Sequence, residues 1–160
     1  MFHAAAIEAD SKDDFYAQLA AQARALLEGE RDRVANAANL AALIYQSLPG
    51  VNWAGVYFFD GTELVVGPFQ GKPACVRIPM GKGVCGTAAV TRESQLVDDV
   101  NAFDGHIACD PDSRSEVVVP LHRGDELIGV LDIDSPRASR FDADDLRGLE
   151  SLAAIYLESL

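Results

Sequence analysis

Glu116-Val117-Val118-Val119-Pro120-Leu121, His122-Arg123-Gly124-Asp125 and Glu126-Leu127-Ile128-Gly129-Val130-Leu131-Asp132-Ile133-Asp134 form the stretch on which the fold turns. Two apolar, β-branched arms flank a short polar turn containing a glycine, the pattern of an antiparallel hairpin. Toward the carboxyl end, Leu146, Leu149, Leu152, Ala153, Tyr156, Leu157 and Leu160 recur at the helical period. Asp142 is a natural N-cap there, Asp145 occupies the third helical position, and Phe141 can staple to Leu146. Toward the amino end, the pattern predicts a strand over Leu96 to Val100, a short helix over Val84 to Arg92 and a strand over Cys75 to Ile78. Asn52 to Phe59 reads as a strand that turns at Asp60-Gly61 into Glu63 to Val66. Before it stand two helices. The first covers 12–28 and carries Phe15, Leu19 and Leu26. The second carries Val34, Ala38, Ala41, Ile44 and Leu48 and is stopped by Pro49-Gly50. Helices at both ends of a run of strands predict an α+β domain. Its central antiparallel sheet has about six strands, with the N- and C-terminal helices packed on one face.

The chain has 160 residues, which predicts a single domain over 1–160. Hydrophobic residues make up 49% and charged ones 24%, a balance that builds a packed core rather than a disordered chain. Thirteen Lys and Arg against 25 Asp and Glu leave a formal charge of −12, which repels nucleic acid and anionic membranes, so neither is expected as a partner. No uncharged apolar run approaches the roughly 18 residues of a membrane helix, and Met1 to Asp14 lacks the basic and apolar regions of a secretory signal. A cytoplasmic location is expected. Three cysteines are an odd number, ill suited to a secreted disulfide framework, and leave thiols free for chemistry.

Those cysteines stand at 75, 85 and 109, with no Cys-x-x-Cys pair. Cys75 falls on a predicted strand and Cys85 at a helix start, where either can be a buried small hydrophobe. Cys109 falls in the turn-rich loop Asp104 to Asp112, where a thiol is reachable. His106 is near enough to exchange a proton with it; Asp104, Asp110 and Asp112 disfavour a thiolate and Arg114 favours one, so the sign of its shift stays open. A metal on Cys109, His106 and another thiol matches no usual zinc spacing, and no metal is expected. In the hairpin, the period of two puts Asp132 and Asp134 on one face with Ile128 and Val130, and Glu116 can join them from the other arm. Clustered carboxylates either retain a proton near neutrality or attract an ammonium group; the bland reading is a solvated strand end. Trp53, Gly55, Tyr57 and Phe59 likewise alternate onto one face, with Gly55 leaving a gap between rings, either as core or as the wall of a pocket. Gly81-Lys82-Gly83-Val84-Cys85-Gly86 matches the dinucleotide fingerprint letter for letter, but Pro79 and the antiparallel surroundings exclude that use. What survives is a helix N-terminus suited to an anion such as an amino-acid carboxylate.

Val118-Val119-Pro120-Leu121, Ile128 to Ser135 and the capped helix after Phe141 resemble a GAF domain. A closer resemblance, from about Phe15 to Leu157, is to the free methionine-(R)-sulfoxide reductases. It is carried by Asn52 to Tyr57, Gly67 to Cys75, Gly83-Val84-Cys85-Gly86, Gly105-His106-Ile107-Ala108-Cys109 and Ser115-Glu116. The resemblance implies a cofactor-free enzyme in which Cys109 attacks the sulfoxide sulfur and becomes a sulfenic acid as methionine leaves. It implies that Cys75 resolves this acid as a disulfide, which a thioredoxin-type dithiol reduces, and that Cys85 is an auxiliary resolving thiol or a pocket residue. Glu116, Asp132 and Asp134 would hold the substrate ammonium and protonate the departing oxygen, and Trp53 and Tyr57 would enclose the S-methyl end, in a cavity closed to peptide-bound methionine. The alternative is a non-catalytic GAF module sensing a cyclic nucleotide or another small molecule, which has no need of a nucleophile at Cys109. The amphipathic terminal helices are a candidate homodimer surface.

Overall fold

The computed structural model describes residues 2–107 and 109–160; Ala108 of the loop motif lies outside the described residues. In chain order these form α1 (Lys12–Leu27), α2 (Arg33–Ser47), β1 (Trp53–Phe59), β2 (Glu63–Gly71) and β3 (Arg77–Pro79). Then come α3 (Gly83–Thr91), β4 (Gln95–Val97), β5 (Ser115–Arg123), β6 (Glu126–Ser135) and α4 (Ala143–Glu158). The six strands pair antiparallel in the order β3-β2-β1-β6-β5-β4. β1 and β6 are therefore the two middle strands, flanked by β2 and β5. As expected, α1, α2 and α4 cover one face: Ala54, Val56, Val117, Val119, Leu121, Leu131 and Ile133 of the sheet pack against Leu19, Leu40, Ile44, Leu149 and Leu152. The opposite face carries Trp53, Tyr57, Val118 and Val130, with α3 and Cys85 packed over it. A sheet buried on both sides leaves polar residues on its second face in a low-dielectric setting, and this positions the chemistry.

Several boundaries differ from the sequence pattern for local reasons. β2 runs on past Val66 to Gly71 because Gly67-Pro68 forms a bulge: Gly55 pairs with Phe69 and Tyr57 with Val66, so one extra β2 residue is absorbed. A second bulge, at Ile128, breaks the expected parity of β6. Leu121 pairs with Gly129 and His122 with Leu127, and Ile128 turns to the helix-covered face instead of joining Asp132 and Asp134. β3 begins only at Arg77, so Cys75 lies in the approach to the strand rather than on it. β4 ends at Val97, and Val100–Ala102 is a single 3-10 turn. In α2 and its C-cap the expected Ala41, Ile44 and Leu48 are buried, joined by Ala37, Leu40 and Leu43, while Val34 is exposed.

The terminal helices close the fold by caps and tight approach. Asp142 accepts from the Asp144 and Asp145 amides while the Asp145 carboxylate accepts from the Asp142 amide, the reciprocal box anticipated for α4. Asp145 also accepts from Tyr16 Oη at 2.8 Å, tying α1 to α4. Ser11 caps α1 by accepting from the Asp14 amide. No described helix is long and apolar enough to cross a membrane.

Candidate active site

Alternation along three neighbouring strands gathers five of the singled-out side chains on one face. Asp134 of β6 pairs with Glu116 of β5 on one side and Trp53 of β1 on the other; Asp132 stands between Val118 and Gly55, and Tyr57 pairs with Val130. Glu116 and Asp132 are each only 6% exposed, so they do not stand at a solvated strand end. Cys85, brought over them by α3, places its Sγ 3.8 Å from Glu116 Oε1. Burial raises the proton affinity of all three carboxyls: Asp132 is pushed up to about 7, and Glu116 well above the ordinary range, with further help from the charges of Asp132 and Asp134. Asp134 is raised by burial and by Asp132, with the Ser113 hydroxyl bond opposing. The same surroundings push the Cys85 thiol up. Asp132 Oδ1 is buried and has no hydrogen-bond partner, a state that costs about 1–3 kcal/mol unless a ligand or water fills it. Cys85, Glu116 and Asp132 present donor atoms within 4.8 Å of one another, a set with the chemistry to hold a cation.

The aromatic stripe divides. Trp53 stacks between Tyr57, at 5.7 Å between ring centroids, and Phe69, at 5.1 Å, and its Nε1 donates to the Lys72 carbonyl at 3.1 Å. Trp53 and Tyr57 line a hollow over the acids, and Phe59 does not. The gap expected at Gly55 is absent because the neighbouring rings fill it: a Cβ built there falls 2.4 Å from Phe69 Cβ and 2.6 Å from Trp53 Cη2. Glycine is what lets the indole lie flat against the strand. Gly55→Ala should destabilise the fold by about 1–3 kcal/mol, by the general cost of overpacking, and raise KM by displacing Trp53. Urea denaturation with steady-state kinetics reads both effects.

Cys75 and Cys109 form a disulfide across a sequence separation of 34, their Cα atoms 5.2 Å apart. The Cys109 loop borders the hollow with His106, Ile107, Asp110 and Ser113, and Cys85 lines it from α3. In this disulfide form the cavity measures about 40 Å³, room for a few waters. His106 also lines the hollow; burial lowers its pKa below the ordinary value, so at neutral pH the ring is uncharged. Arg114, considered as a cation for the Cys109 thiolate, is instead paired with Asp99 at 3.0 Å in an exposed ion pair. The cation near the loop is Lys72, which the sequence reading passed over. It pairs with Asp112 and lies 4.0 Å from Asp110. Asn52 and Ser113 were also passed over: Asn52 Nδ2 lies 3.3 Å from both Asp110 Oδ2 and Ser113 Oγ. Such residues sit in turns, where no period marks them. The α3 N-terminus has no side-chain cap, and Lys82, Gly83 and Val84 line the hollow; the Gly83 amide donates to the Gly105 carbonyl at 3.2 Å.

The GAF domain family model matches residues 14–156. The free methionine-R-sulfoxide reductase of Escherichia coli is 51% identical over 144 residues, covering 90% of this chain and 87% of that one. A crystal structure of a candidate GAF sensor protein from Burkholderia vietnamiensis is 65% identical with a TM-score of 0.90, over 92% of this chain and 94% of that one. The free methionine-R-sulfoxide reductase of Neisseria meningitidis, solved in complex with its substrate, is 41% identical with a TM-score of 0.94, over 99% and 95% of the two chains. With its sheet, its acid cluster and its disulfide in hand, this chain belongs to the GAF domain family and, within it, to the free methionine-R-sulfoxide reductases.

Proposed function

We propose that this protein reduces free L-methionine-(R)-S-oxide to L-methionine. The observation that carries the reading is the pairing of a formed disulfide, Cys75–Cys109, with a buried acid cluster in one hollow. A sulfoxide is reduced in two steps that need those two features. Cys109 Sγ bonds to the sulfoxide sulfur while a protonated carboxyl gives its proton to the oxygen; the hydroxyl then passes from that sulfur to Cys109 Sγ as the transient S–S bond breaks, leaving methionine and a Cys109 sulfenic acid. The raised carboxyls suit that task, because an acid that keeps its proton near neutrality has one to give. Cys75 then attacks the sulfenic sulfur, the S–O bond breaks, and water departs as the disulfide forms. A thioredoxin-type dithiol returns both thiols.

In this reading the substrate ammonium occupies the slot facing Asp132 Oδ1, beside Asp134. Its carboxylate lies toward the uncapped α3 N-terminus, and its S-methyl group lies against Trp53 and Tyr57. A site that grips both charged ends of the amino acid leaves no exit for a peptide chain. Cys85, with its raised pKa and its contact to Glu116, acts as a pocket residue or an auxiliary resolving thiol. The whole chain, 1–160, works as one domain, in a cytoplasm whose thiol pool supports the cycle. The terminal helices are its candidate homodimer surface, and the charge of −12 disfavours nucleic-acid and membrane partners.

The test is methionine release by the purified protein with dithiothreitol. Free R-sulfoxide should be consumed, and neither free S-sulfoxide nor a peptide-bound sulfoxide should be. Equal turnover of all three, or of none, removes the reading.

A further inference from the structure

Besides Cys109 the chain has two thiols, and the structure pairs Cys109 with Cys75 while Cys85 stays buried. Cys85 lines the same hollow as Cys109, yet the disulfide runs to Cys75. A set of contacts outside the hollow explains the choice. Lys72, three residues before Cys75, pairs with Asp112 and approaches Asp110 at 4.0 Å, and these acids lie three and one residues after Cys109. Asp110 is no loose surface group: its side chain is 9% exposed, its Oδ1 accepts from the Asp112 amide at 2.9 Å, and its Oδ2 accepts from Asn52. The Lys72 backbone is likewise fixed, its carbonyl accepting from Trp53 Nε1. Asn52 and Trp53 are consecutive residues at the start of β1, so one point of the sheet holds both thiol-bearing segments, and the Lys72 ammonium ties them to each other.

We propose that Lys72 is a positioning residue that commits the Cys109 sulfenic acid to Cys75 rather than to Cys85. The inference rests on the reductase reading above. In the step it governs, the Cys75 sulfur forms a bond to Cys109 Sγ, the Cys109 S–O bond breaks, and the hydroxyl leaves as water with the Cys75 proton. Lys72 takes no part in the bond changes. It raises the effective concentration of one thiol over the other, as a short tether does. The barrier to using Cys85 is then one of placement together with the burial of its thiol.

The experiment is a single turnover without reductant. Reduced wild type, Lys72→Met and Lys72→Arg are each mixed with excess free methionine-(R)-sulfoxide. Methionine is followed in time, Cys109 sulfenic acid is trapped with dimedone, and the disulfides are mapped after alkylation. Lys72→Met should release methionine at the wild-type rate. Its sulfenic acid should persist about two to five times longer, the scale on which an exposed ion pair contributes, and its Cys85–Cys109 fraction should rise. Lys72→Arg, which keeps the charge, should restore the wild-type lifetime and map. A Lys72→Met protein with wild-type lifetime and disulfide map overturns the positioning role while leaving the reductase reading intact. A wild type that releases no methionine overturns both.

Discussion

Cys109→Ser is expected to lower methionine formation by at least about a thousandfold, as loss of a covalent nucleophile generally does. A serine hydroxyl neither attacks a sulfoxide sulfur at useful rate nor forms the S–S bond that ends the cycle. The ligand slot should survive, because the ammonium contacts proposed for Glu116, Asp132 and Asp134 come from β5 and β6, elements that the Cys109 loop only roofs. Added free methionine-(R)-sulfoxide should therefore still raise the melting temperature of the variant, by the mass-action stabilisation any native-state ligand supplies. The pair of readouts separates the enzyme from a non-catalytic GAF sensor. A variant that keeps turning over removes Cys109 as the nucleophile, and a protein that binds a cyclic nucleotide and releases no methionine favours the sensor.

The second large effect comes from the acids and has two signs. Glu116→Gln and Asp132→Asn should each reduce turnover by about a hundredfold or more, in the range lost with a general acid. Each should also stabilise the ligand-free protein above neutrality. Asp132 has its pKa pushed from 3.8 up to about 7 by burial, so between those values the folded state holds a proton that the unfolded chain has released. Its contribution is fully present below pH 3.8 and is lost as pH rises through 7. Glu116, raised in the same direction by burial and by its acidic neighbours, adds to the loss. Asp132's contribution to wild-type stability should therefore fall between about pH 4 and 7, and Asp132→Asn, which cannot ionise, should be the more stable protein at pH 8. Melting curves across that range with and without the substitution check it. A wild type whose stability climbs with pH would show that the acids are ionised in the fold and have no proton to give. In the proposed mechanism the desolvation that costs stability is also what readies the proton for the sulfoxide oxygen.

How far the amino-acid string reaches can be seen element by element. Alternation in β5 and β6 was enough to put Asp132 and Asp134 on one face and to suggest Glu116 beside them, since a period of two is a property of the strand itself. The terminal helices were legible for the same reason, with their caps at Asp142 and Ser11 visible as side chains. Local patterns miss what depends on a neighbour. Ile128 left the acid face because a bulge formed against β5, Val34 in the first turn of α2 stayed outside the core that Ala41, Ile44 and Leu48 enter, and the gap imagined at Gly55 closed when Phe69 arrived from β2.

The chemistry divides along the same line. Residue types and their periodicities establish an α+β fold with an acidic strand face, three unpaired-looking thiols and an overall negative charge, because each follows from short-range geometry or simple counting. The depth at which the acids lie, the joining of Cys75 to Cys109 across 34 positions, and the Lys72 tie that favours this pair over Cys85 belong to the packed molecule. Proton affinity and thiol encounter depend on distance and solvent exclusion between segments far apart in the chain, and only the closing of α3 and two loops over the sheet sets those quantities.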